Sequence, residues 1–350
     1  MVHSQRMNTP VSITGYYAGS LTAIDSFPVN QLDYLIYSFG HLKDNQLFIS
    51  TSRDTLLIQK MVRLKQQNPG LKIILSLGGW GGCRDCSPVF STPKGRRVFA
   101  KSTQNVLNYF DADGIDLDWE YPAVAGYPGH PYSPKDKKHF TALIRILRRK
   151  LGKLKEISFA SGGMSYCIDS CFEWKKVMRK ANKVNLMSYD LVHGFSKQTG
   201  HHTPLYSTPQ QYESTATAVN KMLKAGVPAR KIIIGAAFYA RFFEVTDTVN
   251  NGLYQPGFFK YGVSYKNIYD SLAVSKGFVP YFDTVAMAPY AFNAARKLFV
   301  TYDDSVSISA KLNYILQKKL GGIMFWQLMD DRFENGLLEI LYERRKAYTK

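Results

Sequence analysis

The chain has 350 residues, 45% of them apolar and 21% charged, enough for one large domain or two average ones with a continuous core, which argues against disorder. Lys and Arg outnumber Asp and Glu by 45 to 27, a net charge of +18, yet no nucleic-acid-binding motif accompanies the excess. The cations fall along predicted helix faces (Arg145, Arg148, Arg149, Lys150, Lys153, Lys155) and in the tail, so a solvated basic surface is expected and a nucleic-acid partner is not; nor does any apolar run approach the roughly 20 residues that span a bilayer.

From the N-terminus, residues 1–8 hold one Arg and no apolar stretch, so no signal peptide is expected in this chain: the protein is cytoplasmic or has lost a leader. Strand-like apolar runs then recur at 11–18, 34–39, 72–77, 114–118, 157–161, 184–188, 231–238 and 322–326. Several lack polar alternation, as strands buried on both faces should, and helical patterns at 55–67, 135–151 and 210–225 lie between them. Eight such units predict an α/β fold, a closed (β/α)8 TIM barrel. One spacing is out of line, because more than 80 residues separate the seventh run from the eighth. The stretch 245–299, rich in Tyr, Phe and Gly, is read as a small α+β insertion on the rim between strand 7 and helix 7; that helix follows at 306–319, and the barrel takes 10–244 and 300–345.

The densest chemical signal is Asp113-Gly114-Ile115-Asp116-Leu117-Asp118-Trp119-Glu120-Tyr121-Pro122. Side chains on a strand alternate faces, so Asp116, Asp118 and Glu120 project to one side while Ile115, Leu117 and Trp119 project to the other. Three carboxyls in one row repel one another, and the relief is that one or more keeps its proton at an unusually high pH. That is how a general acid is made near neutrality, and Glu120 sits at the C-terminal end of its strand, where barrels of this type place their active sites. A calcium site or an ion-pair network would need no such alternation.

These residues resemble the D-G-x-D-x-D-W-E-x-P signature of the family 18 glycoside hydrolases, the chitinases and their relatives. Ser76-Leu77-Gly78-Gly79-Trp80 is similar to the family's S-x-G-G motif, and further similarities lie at Met187-Ser188-Tyr189-Asp190, Phe238-Tyr239-Ala240-Arg241 and 321–326. The resemblance runs from about residue 11 to 331. It implies hydrolysis of β-1,4-linked N-acetylglucosamine polymers or oligomers with retention and without an enzyme nucleophile, the substrate's own 2-acetamido group attacking the anomeric carbon, a scheme that sets this family apart from the two-carboxylate glycosidases. By the same resemblance Glu120 is the acid and base, Asp118 holds the acetamido N–H, Asp116 shares a proton with Asp118, and Tyr189 orients the acetamido carbonyl. Trp326 becomes the platform under the distorted sugar, with Tyr16, Phe39, Trp80, Met187, Asp190, Tyr239 and Arg241 at other substrate-binding positions. For Phe39 and Met187 plain core packing explains the residue type nearly as well. No cofactor and no metal are implied, and a monomer is expected.

Ala288-Pro289-Tyr290 and 299–304 resemble pieces of the small α+β domain found in one branch of the family, a wall that deepens the groove for chitin-type chains. The rivals are an endo-β-N-acetylglucosaminidase acting on N-glycans and a non-catalytic chitin-binding lectin. The lectin reading loses weight because Glu120, Asp118 and Tyr189 are all in place.

Four cysteines, Cys83, Cys86, Cys167 and Cys171, allow three pairings, and two dyads also suit one four-thiolate zinc site. The resemblance implies work on an extracellular polymer, an extracellular or periplasmic location, and therefore disulfides. His201 and His202 are read as part of a structural loop that positions Asp190 rather than as a metal pair.

Overall fold

The strands follow one another as β1 (Ser12–Tyr17), β2 (Tyr34–Lys43), β3 (Gln46–Phe48), β4 (Lys72–Gly78), β5 (Gly114–Asp118), β6 (Glu156–Gly162), β7 (Lys183–Met187) and β8 (Ile232–Ala237). Five more, β9 (Tyr239–Val245), β10 (Gly257–Ser264), β11 (Val279–Asp283), β12 (Ala288–Asn293) and β13 (Leu298–Thr301), precede β14 (Gly322–Trp326). In this computed structural model, which describes residues 11–349, β1, β2, β4 to β8 and β14 form the barrel, and β1 pairs with both β2 and β14 to close it. Every junction is parallel. The N-terminal stretch read above for a leader lies outside the described residues.

The main helices on the outside are α1 (Ser52–Arg63), α2 (Cys86–Ser91), α3 (Pro93–Phe110), α4 (Asp136–Leu151), α5 (Ser165–Ser170), α6 (Trp174–Met178), α7 (Thr215–Lys224), α8 (Ile268–Ser271), α9 (Ser305–Lys318) and α10 (Leu337–Thr349). Their ends follow from local chemistry. The Thr92 hydroxyl accepts from the Gly95 amide at 2.9 Å and Pro93 opens α3, where a missing N–H costs nothing. Ser214 caps α7 by accepting from Thr217 N, which starts the helix five residues after the expected 210. On α4 the buried Phe140, Leu143, Ile144, Leu147 and Leu151 recur at helical spacing and face the strands.

Two apolar layers result. The larger lies between strands and helices and takes Ile115, Leu117 and Trp119, whose ring packs on Phe90 and Phe140 at 5.6 and 6.3 Å. The barrel interior is a smaller cluster of Tyr16, Ile36, Ile74, Ala160, Met187, Ile233 and Met324. The alternation read in residues 115–119 therefore sends its apolar members outward and its carboxyls to the axis.

The second sheet is antiparallel, in the order β10-β9-β13-β12-β11, and spans 239–301, wider than the 245–299 expected. The difference arises because β9 follows β8 after Phe238 alone and reads locally as the tail of a barrel strand. Its partners, β10 and β13, are distant in sequence.

Candidate active site

At the C-terminal ends of the barrel strands lies a groove of about 830 Å³. Ten of the twelve residues singled out in the sequence line it: Phe39, Trp80, Asp118, Glu120, Met187, Tyr189, Asp190, Tyr239, Arg241 and Trp326. The other two, Asp116 and Tyr16, lie beneath its floor.

The geometry is built upward from Asp116, which is completely buried. Its Oδ2 accepts from Ser76 Oγ at 2.7 Å and the Tyr16 hydroxyl at 3.1 Å, and its Oδ1 accepts from Ser158 Oγ at 2.6 Å and Asn185 Nδ2 at 3.1 Å. Burial pushes the Asp116 carboxyl up, and these four neutral donors pull against it. Asn185 also donates to the Tyr16 hydroxyl at 2.9 Å. Tyr16 was expected to face the sugar, but its ring is buried and its hydroxyl is committed to Asp116, so it positions the carboxyl row from below.

One strand period on, Asp118 is buried with one carboxylate oxygen, Oδ1, lacking any hydrogen-bond partner. Burial, then the charges of Glu120 and Asp116, raise its pKa well above the carboxylate range. An orphaned acceptor of this kind is costly, which makes it a natural place for a ligand N–H. Glu120, half-buried at the groove floor, is pushed up to about 7, chiefly by burial; the Tyr121 hydroxyl lowers it and the Asp190 charge raises it further. A carboxyl with that pKa exchanges its proton near neutral pH, as an acid that must later act as a base requires.

Close approach at the neck of β4 demands glycine. Gly78 has φ +109°, and a Cβ there would sit 2.3 Å from the Asp118 carbonyl oxygen, while one on Gly79 would strike the Phe39 ring at 2.4 Å. Gly79 leaves room for Phe39, which stacks on Trp326 with centroids 5.6 Å apart and planes 12° off parallel. Trp80, half exposed at 49%, meets Tyr127 edge-on at 5.5 Å near the groove mouth.

The opposite wall holds a second charge system. Asp190, in the left-handed conformation at φ 56°, forms a two-pronged ion pair with Arg241 of β9, the Nη2–Oδ2 contact measuring 2.5 Å. Burial alone would raise Asp190, but His202 and Arg241 outweigh it and hold it well below the usual range. The His202 ring is fully buried, with Nδ1 3.5 Å from Asp190 Oδ1 and neither nitrogen in hydrogen-bonding geometry. Its neighbour His201 reaches away to Asp283 of β11 at 3.0 Å, and this hydrogen bond holds Asp283 down at about 2. The two histidines thus occupy one loop that ties Asp190 to the second sheet. Tyr189 meets Tyr239 edge-on at 6.2 Å, and burial raises its hydroxyl far above 10, so it stays a donor.

Sequence reasoning missed Tyr121, Tyr166 and Phe259, which also line the groove, and Asn185 and Ser158, which hold Asp116. The period-2 rule could have found Ser158 and Asn185, since both point inward from strands flanking the acidic one or the next. Phe259 lies on β10, whose pairing is nonlocal. The cysteines divide: Cys83 and Cys86 form a disulfide, whereas Cys167 and Cys171, expected to be oxidised too, are free and buried on or beside α5, with Cys167 against Gly162 at the groove.

The model of the glycosyl hydrolases family 18 matches residues 12–331. The chain belongs to this family. Among its relatives, Chitinase A1 of Niallia circulans is 34% identical over 300 residues, covering 79% of this chain and 43% of its own length. Chitotriosidase-1 of Mus musculus is 32% identical, covering 87% and 68% respectively. The chain therefore spans less than half the length of the first of these relatives. A family 18 N-acetylglucosaminidase from Paenibacillus barengoltzii superposes with a TM-score of 0.88 at 36% identity, over 95% of this chain and 99% of that one.

Proposed function

We infer that the protein hydrolyses β-1,4-linked N-acetylglucosamine chains, as a chitinase, with net retention and with the substrate's acetamido group as the nucleophile. The observation that carries this is the pairing of Glu120, poised near neutrality, with the orphaned buried oxygen of Asp118 at the base of an aromatic-lined groove. In this reading Glu120 gives its proton to the glycosidic oxygen as the C1–O bond breaks, and the acetamido carbonyl oxygen closes on C1 to form an oxazolinium ion. Asp118, sharing its proton with Asp116, accepts the acetamido N–H at Oδ1, and the negative charge left on it as that proton moves to Asp116 balances the cation. The Tyr189 hydroxyl donates to the acetamido oxygen and aligns it. Glu120, now a carboxylate, takes a proton from the water that opens the ring from the face the leaving group left. Trp326, stacked on Phe39, offers a flat apolar surface to the sugar's C–H face. Tyr239, Arg241 and Phe259 of the second sheet form one wall, and this sheet over 239–301 is the unit we assign to deepening the groove. The Cys83–Cys86 disulfide supports a location outside the cytoplasm.

The test is product release from N-acetylglucosamine tetramers and hexamers. Cleavage to dimers supports the chitinase. Stepwise release of monomers supports a second reading, favoured by the 36% identity to the Paenibacillus N-acetylglucosaminidase. Intact oligomers that nevertheless bind would point to a lectin, and turnover confined to a high-mannose glycoprotein would point to an N-glycan hydrolase.

Two further results are expected. The first product anomer is β, and an NMR time course that begins with the α-anomer would refute retention. The second concerns pH. Because Glu120 must carry its proton to act, kcat/KM falls as pH rises through about 7. Asp190→Asn removes an anion that helps Glu120 keep that proton and leaves Arg241 unpaired, so the alkaline limb moves to lower pH, by up to about one unit. An unmoved limb in a pH–rate series on soluble oligomers would show that Asp190 does not act on Glu120.

A further inference from the structure

The excess charge of this chain is not spread evenly. Residues 134–183 carry fourteen Lys and Arg against four Asp and Glu, ten of the net +18. Three of the four acids are taken up away from the fourteen, and the fourth, Glu173, offsets only Lys176. Asp136 is buried, Glu156 pairs with Lys72 at 3.0 Å, Glu173 pairs with Lys176 at 2.6 Å, and Asp169 pairs with Lys221 at 2.8 Å. The exposed cations include Arg149, Lys150, Lys153, Arg179 and Lys180. They gather where α4 and α6 hand over to β6 and β7, at the N-terminal ends of the barrel strands and a strand length, roughly 20 Å, from the groove.

Two apolar side chains stand out among them. Leu154 is 96% exposed, and its turn is not loose: the Arg148 guanidinium donates to the carbonyls of Gly152, Lys155 and Lys180 at 2.7, 2.8 and 2.9 Å. Tyr109, on the last turn of α3, is 70% exposed, and α3 is fastened to the end of α4 by Gln104 Nε2 donating to the Lys150 carbonyl at 2.8 Å. An exposed carboxylate at this rim, Asp111, lies 3.7 Å from Lys65. A pinned leucine and a tyrosine set among cations with no ion-pair partner among the described residues match what an anionic bilayer surface takes: charge for the headgroups and a shallow apolar anchor.

We propose that this end of the barrel docks on an anionic lipid surface, with Leu154 and Tyr109 inserted between headgroups and the groove facing away from the membrane. A soluble polyanion would use the cations but would gain nothing from the two apolar tips.

Vesicle flotation tests this on the full chain. The wild type should float with phosphatidylcholine vesicles containing phosphatidylglycerol, stay down with phosphatidylcholine alone, and be released by salt as the charges are screened. Lys150→Glu/Lys153→Glu/Arg179→Glu, checked for an unchanged melting temperature, should lower vesicle partitioning by about a hundredfold or more. Tyr109→Ser/Leu154→Ser should lower it severalfold and leave retention on heparin unchanged. The proposal is overturned by a wild type that does not float at about 0.1 M salt, by a charge-reversed variant that floats as well as the parent, or by a serine variant that floats undiminished. The last outcome would assign the patch to soluble polyanions. Salt release of the wild type keeps the test decisive if the triple variant fails to fold.

Discussion

Glu120→Gln is expected to lower turnover of N-acetylglucosamine oligomers by about 10³-fold or more while leaving their dissociation constants within a fewfold. The amide has the shape of the protonated carboxyl and fills the same space at the groove floor, so the aromatic surfaces of Trp326, Phe39 and Trp80 still hold the sugars. It lacks both functions that a carboxyl near pKa 7 supplies: it cannot release a proton to the leaving oxygen, and it cannot accept one from water. Binding by calorimetry and turnover by chromatography on the same preparation separate the two effects. A variant with near wild-type rate would remove Glu120 from the mechanism. The change also removes one of the charges that raise the Asp118 pKa, so Asp118 in the variant should ionise at lower pH.

The second large effect lies away from the sugar. Lys311 of α9 and Asp303 are both fully buried and paired, with Nζ 2.7 Å from Asp303 Oδ1. Asp303 also accepts from Ala237 N at 3.0 Å, Thr203 Oγ1 at 3.1 Å and Ser307 Oγ at 2.6 Å, and so joins the end of β8, the loop that carries His202 and the start of α9. Lys311→Met leaves this carboxylate without its counter-charge in a site that water does not reach. Breaking a buried pair in this way costs about 3–5 kcal/mol, which in a chain of this size lowers the melting temperature by roughly 4–7 °C. Calorimetry reads the loss directly, and a shift of a degree or less would mean that the pair contributes nothing net.

Much of this architecture can be read from residue order. The barrel strands at 114–118 and 322–326 coincide with β5 and β14; in β5 an inward polar side and an outward apolar side leave little freedom in register. Where the reading stops, the reason is nonlocal pairing. β2 runs to Lys43 rather than 39 because β3 folds back onto it, His41 opposite Phe48, and β9 belongs to the second sheet because β10 and β13 recruit it. At the site, the acidic row declares itself through spacing, whereas its aromatic neighbours are legible only through the family resemblance. Tyr16 does not, since nothing in its local sequence says whether its hydroxyl meets a sugar or Asp116. Cys167 and Cys171 are equally silent: four residues apart on one helical turn, they can face each other as thiols or as a disulfide, and they are buried as thiols here.

The four hydrogen bonds to Asp116 come from β1, β4, β6 and β7, so a single carboxylate reports on the alignment of five of the eight barrel strands. A slip of one residue in any of them turns its donor out of the barrel and leaves an uncompensated acceptor at the axis. The acidic row is therefore not a portable motif. Transplanting residues 116–120 into another (β/α)8 scaffold without Tyr16, Ser76, Ser158 and Asn185 would bury a carboxyl with nothing to hold it, and the recipient barrel would give up stability before it gained chemistry.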